Sequence, residues 1–69
     1  MKRAVAEAAM AEIQLLNGHL NEIGNIFDNI EVEAERQGLM RSVGELMMEI
    51  YEQLMRPITK EYPDLDPDT

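Results

Sequence analysis

The sequence contains no cysteine and no tryptophan, and its aromatic residues are two tyrosines and one phenylalanine. Without cysteine, a chain of 69 residues has neither a disulfide nor a thiolate-bound metal to stabilise a small core. No apolar run approaches the roughly 20 residues that span a membrane. Glu7 and Glu12 interrupt the stretch that follows the basic pair Lys2-Arg3, so it is not a secretory signal. We therefore expect a cytoplasmic protein without a targeting segment.

Basic residues are also scarce. Six lysines and arginines stand against 14 aspartates and glutamates, which gives a formal net charge of -8. No basic residue occurs between Ala4 and Glu35. This negative field would repel a phosphate backbone or an anionic bilayer, so the sequence predicts neither a nucleic-acid nor a membrane partner.

The first half of the chain carries an a/d pattern of apolar residues in alternating steps of three and four. Its members are Ala6, Ala9, Ile13, Leu16, Leu20, Ile23, Phe27, Ile30 and Ala34. The pattern predicts a helix that runs to about Gln37 and packs lengthwise on another helix. Asn17-Gly18 is a common turn dipeptide, so a kink or a break there, giving three helices, is the alternative. We prefer the continuous helix because the apolar pattern keeps its phase across this dipeptide.

A second helix is predicted after Gly38, a residue that commonly ends a helix in the left-handed conformation. Ser42 and Glu45 have capping-box spacing, which indicates that the second helix begins between residues 39 and 43. Pro57 lacks the N–H group that a helix interior requires, so it kinks or ends this helix, and one further turn follows.

A short connection makes two long helices antiparallel neighbours, so the predicted fold is an all-α hairpin over residues 1–62, followed by an acidic disordered tail over residues 63–69. In this register Gly24 lies beside Tyr51 and leaves room for its ring. The residues predicted for the hairpin core are Leu16, Leu20, Ile23, Phe27, Ile30, Val43, Met47, Ile50 and Leu54.

In that register the first helix extends beyond the second at its amino end, and several apolar residues lie outside the hairpin core. A single contact between two helices buries little surface in so short a chain. Pairing two hairpins into a dimeric four-helix bundle would cover the apolar residues that the hairpin core leaves exposed. The residues predicted for this partner or dimer interface are Val5, Met10, Ile13, Ile26, Met48 and Met55.

Polar groups with spacings of chemical interest have simpler interpretations. His19 and Glu22 are three residues apart on one helical face, as in the ligand pairs of di-iron bundles, but an exposed histidine is the preferred interpretation. Two carboxylate series, Glu45, Glu49 and Glu52 and then Asp64, Asp66 and Asp68, are interpreted as solvated surface. We therefore predict no catalytic residue, no metal site and no cofactor.

The predicted outline resembles the Rop family of plasmid copy-number regulators, which are helical hairpins that pair into a four-helix bundle. The resemblance covers the architecture and no specific motif. RNA binding in that family needs a basic or polar face on the first helices. Here that face is acidic, so the resemblance implies the fold and not the function.

The sequence thus predicts a non-enzymatic, acidic helical module that self-associates and acts as an adaptor, small chaperone or regulatory subunit. The alternative is an acidic inhibitor or nucleic-acid mimic that occupies a basic site on a target protein. Salt distinguishes the two, because binding through carboxylates weakens at high ionic strength whereas apolar contacts persist.

Overall fold

The computed structural model describes residues 1–67, which form a helical hairpin with no strand. The hairpin is elongated, with principal extents of 46 × 19 × 16 Å. This confirms the predicted all-α hairpin. Its elements in chain order are α1 (Arg3–Phe27), α2 (Glu33–Ile50), a π-helical turn (Tyr51–Met55), α3 (Arg56–Glu61) and a 3-10 turn (Pro63–Leu65).

Helix α1 is unbroken over its 25 residues. It passes through Asn17 and Gly18 in helical conformation, which confirms the prediction of one continuous helix. The alanine-rich first turns have high helix propensity. From Asn17 onwards several residues have lower helix propensity, and the contact with α2 compensates for it.

The connection between the helices lies earlier in the chain than predicted. Helix α1 ends at Phe27, and α2 begins at Glu33 and includes Gly38, whose φ is not positive. The prediction that the first helix continues to about Gln37 and stops at Gly38 is therefore wrong. Asn25, Asp28 and Asn29 explain the difference, since asparagine and aspartate favour turns and this cluster precedes the break.

Side chains reinforce this connection in ways that the sequence pattern did not show. The Arg36 guanidinium donates to the carbonyl of Ile30 over 2.9 Å and fixes the turn to the first residues of α2. The predicted capping box is also wrong. Ser42 lies inside α2, and its hydroxyl donates to the carbonyl of Gly38 over 3.1 Å.

Pro57 does not end the second helix. The π-helical turn precedes it, and the N–H of Arg56 donates to the carbonyl of Tyr51, five residues back. In a regular α-helix the proline ring would clash with the carbonyl of Gln53. The wider π turn avoids this clash, and α3 follows it directly for a further six residues.

The π turn also changes which side chains face α1. It inserts one extra residue into the turn, so the inward positions step from Ile50 to Met55 rather than to Leu54. Met55 is accordingly 7% exposed and Leu54 is 48% exposed. The prediction had these two residues the other way round, with Leu54 in the hairpin core and Met55 at the interface.

Helix α1 presents a slightly different face to α2 than the a/d pattern predicts. Met10, Asn17 and Gly24 are buried or half-buried, whereas Leu16 and Ile23 are largely exposed. Gly24 lies beside Met40 and Val43, where an added Cβ would be 3.6 Å from the Met40 methyl carbon. The predicted proximity of Gly24 to Tyr51 is a consequence of the misplaced turn.

The main apolar cluster lies at the open end of the hairpin. It contains Ala6, Met10, Ile13, Met55 and Ile58, with Ala9, Ile50, Tyr62 and Leu65 packed against it. The amino end of α1 is thus covered by the chain's own second half, because the earlier turn leaves more residues to return along α1. Pro63–Leu65, which the sequence assigns to the tail, form a turn that contributes Leu65 to this cluster. Asp68 and Thr69 lie outside the described residues.

Polar contacts close the same end. Arg3 makes a salt bridge with Asp64 and lies 5.5 Å from the centroid of the Tyr62 ring. The Tyr62 hydroxyl donates to the carbonyl of Met1 over 2.6 Å, and the ammonium group of Met1 pairs with Glu61 at 2.9 Å. Hydrogen bonding from Arg3 lowers the pKa of the Asp64 carboxyl below its ordinary value.

Candidate interaction surface

One side of the hairpin exposes large apolar side chains from both helices. Leu16 and Ile23 of α1 are 43% and 40% exposed, and Leu46 of α2 and Leu54 of the π turn are 53% and 48% exposed. We call these four residues the apolar face. Isolated exposed leucines are common on protein surfaces, but a group on one side is typical of an interaction site.

The antiparallel arrangement puts these four residues on the same side. Leu16 and Ile23 each precede a residue of α1 that faces α2, namely Asn17 and Gly24. Consecutive residues are about 100° apart around a helix, so Leu16 and Ile23 lie to the same side of the contact. Asn17 contacts Met55 across the hairpin, so both lie in the contact between the two helices. Leu46 and Leu54 are rotated away from Met55 in the same sense as Leu16 is from Asn17, which brings the two pairs together.

The residues predicted for the partner interface divide into two groups. Met10, Ile13 and Met55 are 3%, 8% and 7% exposed and lie in the cluster at the open end. The structure therefore places them in the core of a single chain. The remaining three, Val5, Ile26 and Met48, are exposed by 56%, 66% and 62%.

The residues predicted for the hairpin core divide in a similar way. Val43 is buried, and Leu20, Phe27, Ile30, Met47 and Ile50 are half-buried between the helices. Leu16, Ile23 and Leu54 form most of the apolar face instead. The core of a single chain is thin, since only six apolar residues of residues 1–67 are buried, whereas twelve large apolar side chains are exposed.

The polar candidates lie on the outside. His19 and Glu22 are exposed, as are Glu45, Glu49 and Glu52. Glu52 pairs with Arg56 at 2.9 Å, one turn further along. Across residues 1–67 no three histidine, aspartate or glutamate side chains are grouped so that they could hold a metal ion. No helix in the same range has the length and apolar character needed to cross a bilayer.

Sequence reasoning missed the contribution of Leu46. This residue flanks the predicted apolar line of the second helix, and no periodic pattern marks it. The available signal was its spacing from Leu54, since residues eight apart lie on the same broad face of a helix, about 12 Å apart along its axis.

Comparison of the chain with protein-family models, with curated proteins and with solved structures finds no match.

Proposed function

We propose that this chain is a non-enzymatic helical interaction module that self-associates through the apolar face into a dimeric four-helix bundle. The observation that carries the proposal is the exposure of Leu16, Ile23, Leu46 and Leu54 on one side of a hairpin with a thin core. Burying a leucine or isoleucine side chain yields roughly 1.5–3 kcal/mol, so covering this face would add substantially to a marginal fold.

Charge supports the choice of an apolar contact. At a net charge of -8, two copies repel one another at long range, so association needs a surface where carboxylates are few. The four residues of the apolar face supply an uncharged contact, which Glu45 and Glu49 border on the α2 side. As an adaptor or regulatory subunit, the assembled bundle would present its acidic exterior to other proteins.

Sedimentation equilibrium over a wide concentration range tests the proposal. We expect a species of about twice the 7.9 kDa chain mass, retained in high salt because apolar contacts are not screened. A single-chain mass at every concentration would contradict self-association. It would leave the alternative function, in which the acidic surface of a monomer occupies a basic site on a target.

Two matched substitutions on α2 locate the contact. Leu46→Glu should shift the equilibrium towards the single chain, because it places a charge in the apolar face. Met48→Glu is the control, since Met48 is similarly exposed but lies about 160° around α2 from Leu46, across the groove that both residues line with Glu45 and Glu49. Equal effects of the two substitutions would show that the apolar face is not the contact.

A further inference from the structure

A second line of residues with a/d spacing runs along the exposed flank of α1. Its members follow one another in steps of four and three: Val5, Ala9, Glu12, Leu16, His19, Ile23 and Ile26. All are exposed except Ala9, which is half-buried. We call this line the outer stripe. It includes Leu16 and Ile23 of the apolar face and extends it along nearly the whole length of α1.

Two members of the outer stripe are polar and of complementary chemistry. Glu12 is an acid and His19 a base, and they are seven residues apart, about 10 Å along the helix. Neither makes a hydrogen bond or ion pair within residues 1–67, and that spacing is too great for them to pair with each other. Each therefore presents a polar group without a protein partner on a stripe whose other five members are apolar.

The spacing of the outer stripe is nearly the same from Leu16 towards the amino end of α1 as from Leu16 towards its carboxyl end. Counting outwards from the middle, Glu12 corresponds to His19, Ala9 to Ile23 and Val5 to Ile26. We propose that a second copy of this chain covers the outer stripe, with the two α1 helices antiparallel about a two-fold axis at Leu16. Glu12 of each copy then faces His19 of the other, and the remaining layers are apolar.

This arrangement rests on the proposed self-association and specifies its geometry. A parallel pairing of the α1 helices would place Glu12 against its own copy, and like charges in contact are unfavourable. Antiparallel helices also bring opposite ends of their dipoles together. A closed two-fold contact must be complementary to itself. Because Glu12 and His19 stand at corresponding positions on either side of Leu16, the outer stripe meets this condition, which identifies its partner as a second copy of the chain.

Single-cysteine variants test the geometry without interference, because the chain has no cysteine of its own. In the proposed arrangement Leu16→Cys lies next to its own copy at the axis and should form a disulfide-linked dimer under mild oxidation. Gln14→Cys is the matched control. It is exposed, but two residues along a helix point to nearly opposite sides. We expect on the order of tenfold more linked dimer for Leu16→Cys.

Cysteines at the ends of the outer stripe separate the antiparallel from the parallel pairing. Val5→Cys and Ile26→Cys should each fail to link to itself, because about 30 Å separates the two positions along α1. An equimolar mixture of these two variants should link. Self-linking of Val5→Cys would overturn the antiparallel arrangement.

The mass measurement keeps this inference distinct from the proposed function. A dimer in which Leu16→Cys links no better than Gln14→Cys would overturn the α1 pairing and leave self-association standing. A single-chain mass would overturn both. Circular dichroism on each variant confirms that the hairpin is folded before its linking is compared.

Discussion

The side-chain amide of Asn17 donates to the sulfur of Met55 over 3.7 Å, across the interface between α1 and the π turn. The carbonyl oxygen of the same amide is buried and has no hydrogen-bond partner. A thioether is a weak acceptor, so Asn17 is poorly satisfied at a position that faces the partner helix. Such a residue lowers stability, and in helical bundles a polar group at this kind of position can fix the register.

Replacing Asn17 by an apolar residue should therefore stabilise the hairpin. We expect Asn17→Leu to raise the free energy of unfolding by about 1 kcal/mol beyond the gain in helix propensity, because it removes a buried unsatisfied oxygen. Asn21→Leu is the control, since Asn21 is exposed and reports propensity alone. Urea unfolding of both variants measures the difference. Equal gains would mean that the Asn17 oxygen is hydrated in solution.

The glycines within the helices should tolerate alanine. At Gly18 and Gly38 an added Cβ would meet nothing within 4 Å, so the expected gain is the helix propensity difference of roughly 1 kcal/mol at each site. Gly38→Ala is the more informative, because a glycine that ended a helix at positive φ would instead lose stability on substitution. If Gly38→Ala lowered the urea midpoint of unfolding while Gly18→Ala raised it, the first helix would end at Gly38 as the sequence predicts.

Acid should loosen the open end of the hairpin, where Arg3 pairs with Asp64. The Arg3 hydrogen bond lowers the pKa of Asp64. The pair therefore stabilises the fold fully at pH values above the ordinary carboxyl pKa of about 3.9. Its contribution is lost as the pH falls through the lowered value. NMR titration of the Asp64 carboxyl carbon should show the low midpoint, and Arg3→Gln should return it to the ordinary range. The same midpoint in both proteins would show that the pair does not persist in solution.

Substitutions that alter the charges at positions 12 and 19 should weaken the dimer singly and restore its affinity when combined. His19→Glu places two carboxylates opposite each other on either side of the Leu16 axis and should weaken the dimer by about tenfold. Adding Glu12→Lys to this variant should recover most of the affinity, because each pair then carries opposite charges. Dissociation constants from sedimentation equilibrium measure both effects. A double variant as weak as His19→Glu alone would show that the two residues do not face each other.

The candidate surface was only partly predictable from the sequence. Val5 and Ile26 were assigned to the interface and are exposed in the structure. Leu16 and Ile23 were recognised as important apolar residues but were assigned to the hairpin core. The reason is that two overlapping stripes on α1 share a common set of positions, and a single helix gives no preference between its two flanks.

The sequence by itself determined that the chain is helical, that α1 continues through Asn17 and Gly18, and that the second half returns along the first. These properties follow from propensity and apolar period, which act along the chain. Only the tertiary structure decided the position of the turn, the flank of α1 that is buried and the exchange of Leu54 for Met55. The buried flank depends on the close approach of the two helices at Gly24, and the exchange of Leu54 for Met55 depends on the extra residue of the π turn before Pro57. Neither is visible in the apolar period of one segment of the chain.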